Sequence, residues 1–350
     1  MRKNRLFVKV GRICVSLFFV SLLLFTYTKV EAANPKPITL KVVICSSPSS
    51  FTKVLGWDPF KEAVERRSGG RLVVELYPGE TLVKYAGSLD AVMSGLAQIA
   101  ELPVTYWPGK FPLSEIISLP RTAPSAVAMG EAYYKLGGKY FKAEMERFNL
   151  HLIGNRQQSP YWLFSPKKPI QKLDDLKGLN IRSPGGPQTV VLKKLNARVI
   201  TVTAADVYEA LQKGTMDVAI HSRAVIKIFK WYEMASPGYL LDVGGMGGVS
   251  TPFLVRGQTW KSLPKDLQQI LDEEGWAASQ RINKENDKES AGAEKIFVEK
   301  GIKINHISPK EQETFKAAAK LAFDEWVAKT KAAGLPAEEL LKDLLKLTGM

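Results

Sequence analysis

The sequence predicts an α/β protein built in two halves and crossed by one long helix. Three observations predict it. Strand-like and helix-like segments alternate from Pro37 onward, the alternation resumes after Gly178, and a helical pattern from Pro264 to Lys300 far exceeds the usual length of about 8–20 residues. In order, Leu40–Cys45 reads as a buried strand. Asp58–Arg67 reads as a helix with Phe60, Val64 and the stem of Arg67 on one face, ended by Ser68-Gly69-Gly70. Arg71–Tyr77 alternates as a strand and stops at Pro78-Gly79; Tyr85–Ser94 is a helix and Gln98–Leu102 a short strand. This βαβαβ order argues for a parallel sheet with right-handed crossovers. The prolines between Pro103 and Pro124 exclude a helix there and suit a stretch that lines a cleft or joins lobes. Ser125–Phe148 reads as helical, followed by strands at Leu150–Ile153 and near Tyr161–Ser165.

The second half repeats the logic. Leu179–Arg182 is a strand, and Ser183–Pro187 a turn opening a helix through Leu195, with Pro187 suited to the first helical position. Arg198–Val202 is a strand. Thr203 and Asp206 have capping-box spacing, for a helix ending at Gly214, and Met216–Ile220 is the next strand. Gly244–Gly248 reads as a flexible connection before a strand-like Phe253–Val255. The long helix is polar all round between Asn283 and Glu289, as in helices that bridge domains or cross a surface, and Gly275 and Gly292 threaten its continuity. A strand near Ile302–Asn305 and helices at about 309–332 and 336–347 close the chain.

The composition, 45% hydrophobic and 24% charged over 350 residues, excludes a mainly disordered, collagen-like or disulfide-framework protein. The net charge of +14 leaves nucleic acid, a membrane surface and acidic ligands open as partners. Part of that excess is an address. Arg2, Lys3, Arg5, Lys9 and Arg12 precede an apolar run from Ile13 to Tyr27, and small residues follow at Ala32-Ala33. This is the layout of a secretory signal, cleaved near Ala32, and it predicts a periplasmic protein. The run is shorter than the roughly 20 residues of a membrane span, the uncleaved anchor being the alternative. Cleavage removes six basic residues and one acid, which brings the charge from +14 to +9. Cys45 is then the only cysteine, so no intramolecular disulfide forms, and its place at the end of an apolar strand suits a buried small hydrophobe.

The three histidines, His151, His221 and His306, lack the spacing of a zinc site, and no nucleophile-elbow, phosphate-loop or dinucleotide motif is present. Neither an enzyme, a metal nor a cofactor is expected. Asp174-Asp175 resembles a catalytic pair but sits at the start of a helical turn, where acids serve the helix dipole. Basic residues are dispersed among acids, which argues against nucleic acid. The informative residue is Arg182, which ends a strand before a Gly-Gly turn into a helix N-terminus. Ligands of open α/β sheets bind outside the carboxyl ends of strands, helix N-termini attract anions, and a guanidinium holds a carboxylate by two bonds. The alternative for Arg182 is a structural salt bridge.

Four segments carry a family resemblance over about residues 38–330: Phe60–Gly79 (FKEAVERRSGGRLVVELYPG), Asp174–Pro184 (DDLKGLNIRSP), Ala210–Asp217 (ALQKGTMD), and Thr251–Val255 (TPFLV) with Trp260–Pro264 (WKSLP). In that order they resemble the extracytoplasmic solute receptors of tripartite ATP-independent periplasmic (TRAP) transporters, of the C4-dicarboxylate-binding type. The resemblance implies a two-lobed, type II-like periplasmic binding protein fold with a long helix spanning both lobes, closing on its ligand. It implies a signal peptide at 1–32, an N-terminal lobe at 33–153 to which part of the C-terminal region returns, a second lobe at 154–255, and the spanning helix with C-terminal helices at 256–350. It implies an organic acid as ligand, a membrane permease driven by an ion gradient as partner, and a monomer or a dimer. The family's selective arginine falls on Arg182.

Arg156 lies where the family places a second polar contact, as a second anion clamp or a surface residue. His221 departs from the family, replacing an amide or acid that often faces ligand, and either donates to an anion, stacks, or is a buried structural histidine. Tyr106-Trp107 and Tyr161-Trp162 put aromatics near the cleft, with lobe packing as the alternative for one pair, and aromatic walls suit a ring or a hydrophobic acid. Ser46, Ser47 and Phe51 are placed on the N-terminal lobe's side. A receptor for a non-carboxylate solute, one serving a sensor, and a secreted α/β enzyme are the competing readings.

Overall fold

The computed structural model describes residues 36–349 apart from Ala123, Ala235 and Ser236. The signal segment, with Cys14 and the cleavage position near Ala32, lies outside the described residues. From Ile38 onward the chain forms one compact unit. Strand β1 (Ile38–Ile44) leads through a π-helical turn at Thr52–Trp57 into α1 (Asp58–Arg67), β2 (Leu72–Pro78), α2 (Ser88–Ser94) and β3 (Ile99–Glu101). Short 3-10 turns occupy the proline-rich stretch. Then follow α3 (Ala126–Leu136), a π turn at Gly137–Phe141, α4 (Lys142–Glu146) and β4 (Leu150–Gln157). The stretch expected as helical over 125–148 is helical from Ala126 to Glu146, its hydrogen bonding widening to a π pattern over Gly137–Phe141 while the junction residues stay right-handed helical. β5 (Trp162–Ser165), β6 (Asn180–Ser183), α5 (Pro187–Lys194), β7 (Arg198–Thr201), α6 (Val207–Lys213), β8 (Val218–His221), α7 (Arg223–Ile228) and β9 (Tyr239–Asp242) form the next block. Helix α7 and strand β9 are not predicted by the sequence pattern. β10 (Ser250–Arg256), α8 (Gly257–Ser262), α9 (Lys265–Glu299), β11 (Lys303–His306), α10 (Pro309–Ala332) and α11 (Ala337–Thr348) complete the chain.

Two sheets result, ordered β2-β1-β3-β10-β4 and β11-β9-β5-β8-β6-β7. Neither is purely parallel, as the βαβαβ order had suggested. β1 runs parallel to β2 and β3, but β10 is antiparallel to both β3 and β4. In the second sheet β6 is parallel to β7 and β8, while β5 is antiparallel to β8 and β9. The antiparallel strands are those that flank the crossings between the sheets, where the chain enters from the other sheet instead of through a helix. The segment 154–255 contributes to both sheets, because β10 returns to the first.

β1 is apolar and buried at Leu40 and from Val42 to Ile44, where both of its faces are covered, while Thr39 is exposed and Lys41 half-buried. Leu40, Val42 and Ile44 pack with Trp57 and Phe60, and Val43 joins the largest core cluster on the other face. A third cluster, with Trp162, Phe164 and Trp231, backs the second sheet.

Two local expectations are corrected. The Gly244–Gly248 stretch is no loose connection. Gly247 and Gly248 are buried in close backbone contact with Ser118 and Gln158, and the Tyr161 N–H donates to the Gly247 carbonyl at 2.9 Å. The capping box at Thr203 is also absent, since the helix starts only at Val207 and the Thr203 hydroxyl donates to the Asp206 carboxylate instead (2.6 Å).

Helix α9 is continuous over 35 residues, roughly 50 Å. Its polar middle is used inward. The edge strand β4 turns unpaired backbone groups toward it, and short side chains on one stripe meet them. Ser279 Oγ accepts the Asn155 N–H (2.7 Å), Asn283 Oδ1 accepts the Gln157 N–H (2.8 Å), and Asn286 Nδ2 donates to the Gln157 carbonyl (2.8 Å). Further along, Ser290 Oγ accepts the Ala224 N–H of the second sheet's block (3.3 Å). One helix is therefore bonded to both blocks.

Candidate functional site

A cavity lies where the ends of strands from the two sheets converge. The space open to the centre of a water-sized sphere is about 90 Å³, against roughly 10–15 Å³ for one water, so it accommodates a small organic molecule. Its wall takes Cys45–Ser47 just past β1, Arg156 and Gln158 at the end of β4, Tyr161 before β5, Arg182 on β6 and His221 at the end of β8. Three of these strands present their carboxyl ends, as open α/β sheets do toward ligands.

Arg182 is 1% exposed. Its Nε–H donates to the Val202 carbonyl and Nη1 to the Ile220 carbonyl, each at 3.1 Å. Among the described residues it has no carboxylate partner, so the structural salt bridge is not what holds it. A buried guanidinium bonded only to carbonyls is one negative charge short of neutrality, and burial makes that shortfall costly. The helix N-terminus contributes less than the sequence suggested. The cavity reaches Pro184 but not Gly185 or Gly186, which are covered by the Thr105 carbonyl and the Thr105 methyl respectively.

Arg156 is also buried, which removes the surface alternative. Its Nε lies 3.9 Å from Glu101 Oε1 and has no hydrogen-bond partner among the described residues. Glu101, at the end of β3 and fully buried, accepts the Cys45 N–H at Oε2 (2.9 Å) and the Trp57 indole N–H at Oε1 (2.8 Å). Sequence reasoning missed it; an acid closing an otherwise apolar strand was the available signal.

His221 Nδ1 accepts the Ser222 N–H at 2.9 Å, which puts the ring proton on Nε2. Burial, then the fields of Arg182 and Arg156, hold its pKa well below the ordinary 6.5. The imidazole is a neutral donor, stacked at a tilt on Tyr161 (4.6 Å between centroids). Burial likewise raises the pKa of Tyr106 and Tyr161, and pushes the Cys45 thiol well above its ordinary value. All three stay protonated at neutral pH. The Tyr106 hydroxyl accepts the Ala204 N–H (3.4 Å), joining a loop after β3 to one after β7.

Of the two expected aromatic pairs, each contributes its tyrosine and not its tryptophan. Trp107 is half-buried against the main core cluster, and Trp162 packs with Phe164 and Trp231 beneath the Arg223 guanidinium (4.2 Å). Ser47 and Phe51 line the cavity. Tyr85, Gln158, Val225 and Phe229 also line it, none of them marked by a sequence motif; Phe229 follows α7, a helix that the sequence pattern does not predict. Among the described residues no acid lines the wall.

The chain matches the family model described as "Bacterial extracellular solute-binding protein, family 7" over residues 45–330. It is 26% identical over 300 residues to a monocarboxylate 2-oxoacid-binding periplasmic protein of a Nostoc species, covering 80% of this chain and 76% of that protein. A TRAP periplasmic solute binding protein from Desulfovibrio salexigens, solved with the C-terminus of a symmetry mate in its ligand-binding site, has a TM-score of 0.76 at 26% identity. The match covers 89% of this chain and 95% of that one. A TRAP solute binding protein from Rhodoferax ferrireducens, in complex with copurified benzoate, has a TM-score of 0.81 at 24% identity, covering 89% and 98%, a likeness of fold.

Proposed function

Because the chain belongs to family 7 of the bacterial extracellular solute-binding proteins, we propose that it is the solute receptor of a TRAP transporter. In this reading it binds an organic acid between its lobes and delivers it to a membrane permease driven by an ion gradient. The observation that carries the reading is the buried Arg182, charged and bonded only to carbonyls, facing a cavity without acids. A carboxylate supplies the missing charge and accepts from the guanidinium fork. Arg156 is a second cationic contact and His221 Nε2–H a neutral donor. The rings of Phe51, Tyr85, Tyr106, Tyr161 and Phe229 enclose the rest of the ligand, which suits an aromatic or hydrophobic acid. Benzoate, copurified with one structural neighbour, is an acid of that class, and a relative named as binding a monocarboxylate 2-oxoacid shares the carboxylate.

Binding without turnover fits the same geometry. The cavity's thiol and phenols are held protonated, and the basic-looking nitrogen of His221 is already occupied by a backbone N–H, so no activated nucleophile faces the ligand.

A thermal-shift screen of aromatic and aliphatic carboxylates tests the proposal. An acid of the right class at a hundred times its Kd stabilises the protein by about 2.7 kcal/mol, and Arg182→Ala abolishes the shift. A melt unmoved by every carboxylate, or an undiminished response in Arg182→Ala, speaks against the reading.

A further inference from the structure

Resting on the receptor reading, we infer that Glu101 sets the charge of the ligand: it neutralises Arg156 from behind, leaves one uncompensated cation in the cavity, and so selects monocarboxylates over dicarboxylates. The charges can be counted residue by residue. Glu101 lies outside the cavity wall, fully buried, with each oxygen facing an N–H donor, the surroundings of an acceptor-only carboxylate. Its Oε1 is 3.9 Å from Arg156 Nε, and that nitrogen has no other partner among the described residues. Arg182 meets only carbonyls. His221 adds no charge, since its Nδ1 accepts the Ser222 N–H and both arginines disfavour a second proton. Glu80, the other acid whose field reaches Cys45, pairs with Lys84 at 3.0 Å.

Two guanidiniums and one carboxylate leave a single positive charge. A monoanion brings the closed site to neutrality. A dianion overshoots it, and its second carboxylate leaves water for a site whose second cation is already balanced by Glu101, so desolvation goes uncompensated. Both arginines can touch the ligand, yet only one of them asks for a charge.

The test is calorimetric titration of the intact mature protein with matched acids, benzoate against phthalate and hexanoate against adipate. Wild type is expected to bind the monoanion of each pair at least about tenfold more tightly. Glu101→Gln is expected to raise the dianion-to-monoanion affinity ratio by about tenfold or more. Arg156→Gln leaves no net charge and loses monoanion binding, and adding Glu101→Gln to it restores one cation and recovers that binding, which a merely structural Glu101 would not do. A wild type that favours dianions overturns the inference without needing any variant. So does a folded Glu101→Gln with an unchanged ratio, or a double variant that regains nothing; in all three cases the receptor reading stands. If wild type binds neither class, both fall.

Discussion

Arg182 could be singled out from its position alone, at the end of a strand before a Gly-Gly turn, but its role depends on what it lacks. Only the assembled fold shows that its partners are the carbonyls of Val202 and Ile220, which are 20 and 38 residues away in sequence. Glu101 shows in the sequence only as an acid closing an apolar strand; its meaning comes from Trp57, Cys45 and Arg156 meeting around it. Two buried titratable residues carry a pH signature. His221 has an ordinary pKa near 6.5 when unfolded and one well below that when folded. The unfolded state therefore binds more protons below about pH 6.5, and stability falls as pH drops through that window. Glu144 is the opposite case. Burial pushes it up to about 7 from an ordinary 4.5, although the Leu113 and Ser114 N–H groups and the Ser114 hydroxyl all donate to it. The folded state then holds the extra proton between about 4.5 and 7, and stability falls as pH rises through that range, by up to about 1.4 kcal/mol per pH unit. The two slopes oppose each other in the wild type. Urea titrations at pH 5, 6 and 7 should show stability rising with pH in Glu144→Gln and falling with pH in His221→Gln. The same slope in both variants would refute the assignment.

The elements that sequence periodicity describes well are those whose apolar residues do the packing. Asp58–Arg67 and Pro309–Ala332 were read with the bounds the structure has. Helix α9 was foreseen in length but not in purpose, because its contacts are polar. Ser279, Asn283, Asn286 and Ser290 form one stripe that serves as a neighbour for the open edge of β4 and reaches the block of α7, and hydrophobic patterning does not register such a stripe. Asn155 and Gln157, the strand residues it bonds, flank Arg156, so the helix fixes the backbone that presents the second guanidinium. The two glycines of the helix separate cleanly. A Cβ at Gly275 would stand 2.3 Å from the Ile153 carbonyl oxygen, whereas one at Gly292 would meet nothing within 4 Å. Gly275→Ala should destabilise by about 2 kcal/mol or more by forcing α9 off β4. Gly292→Ala should stabilise by about 0.5–1 kcal/mol through helix propensity and chain entropy. Denaturation midpoints that move together in the two variants would contradict this picture of the contact.

For the whole molecule, the alternation of strands and helices made the α/β class legible, and the order of four short segments made the family legible. The strand directions were not, because the chain passes between the sheets at 158–161 and again at 243–249, and a local pattern carries no record of which sheet a strand will join. Those two passages, α9 and the Tyr106–Ala204 contact are where the two blocks are tied together, and the cavity sits among them. The net charge of +14 is spread over the whole sequence, whereas the proposed ligand preference rests on the balance of three buried groups, Arg182, Arg156 and Glu101. The most direct measurement is a crystal structure of the protein with the carboxylate that gives the largest thermal shift. The account predicts the carboxylate oxygens within about 3 Å of the Arg182 guanidinium, with the ligand's body between the rings of Tyr106, Tyr161 and Phe229. A carboxylate turned away from Arg182, with that guanidinium still bonded only to Val202 and Ile220, would contradict it.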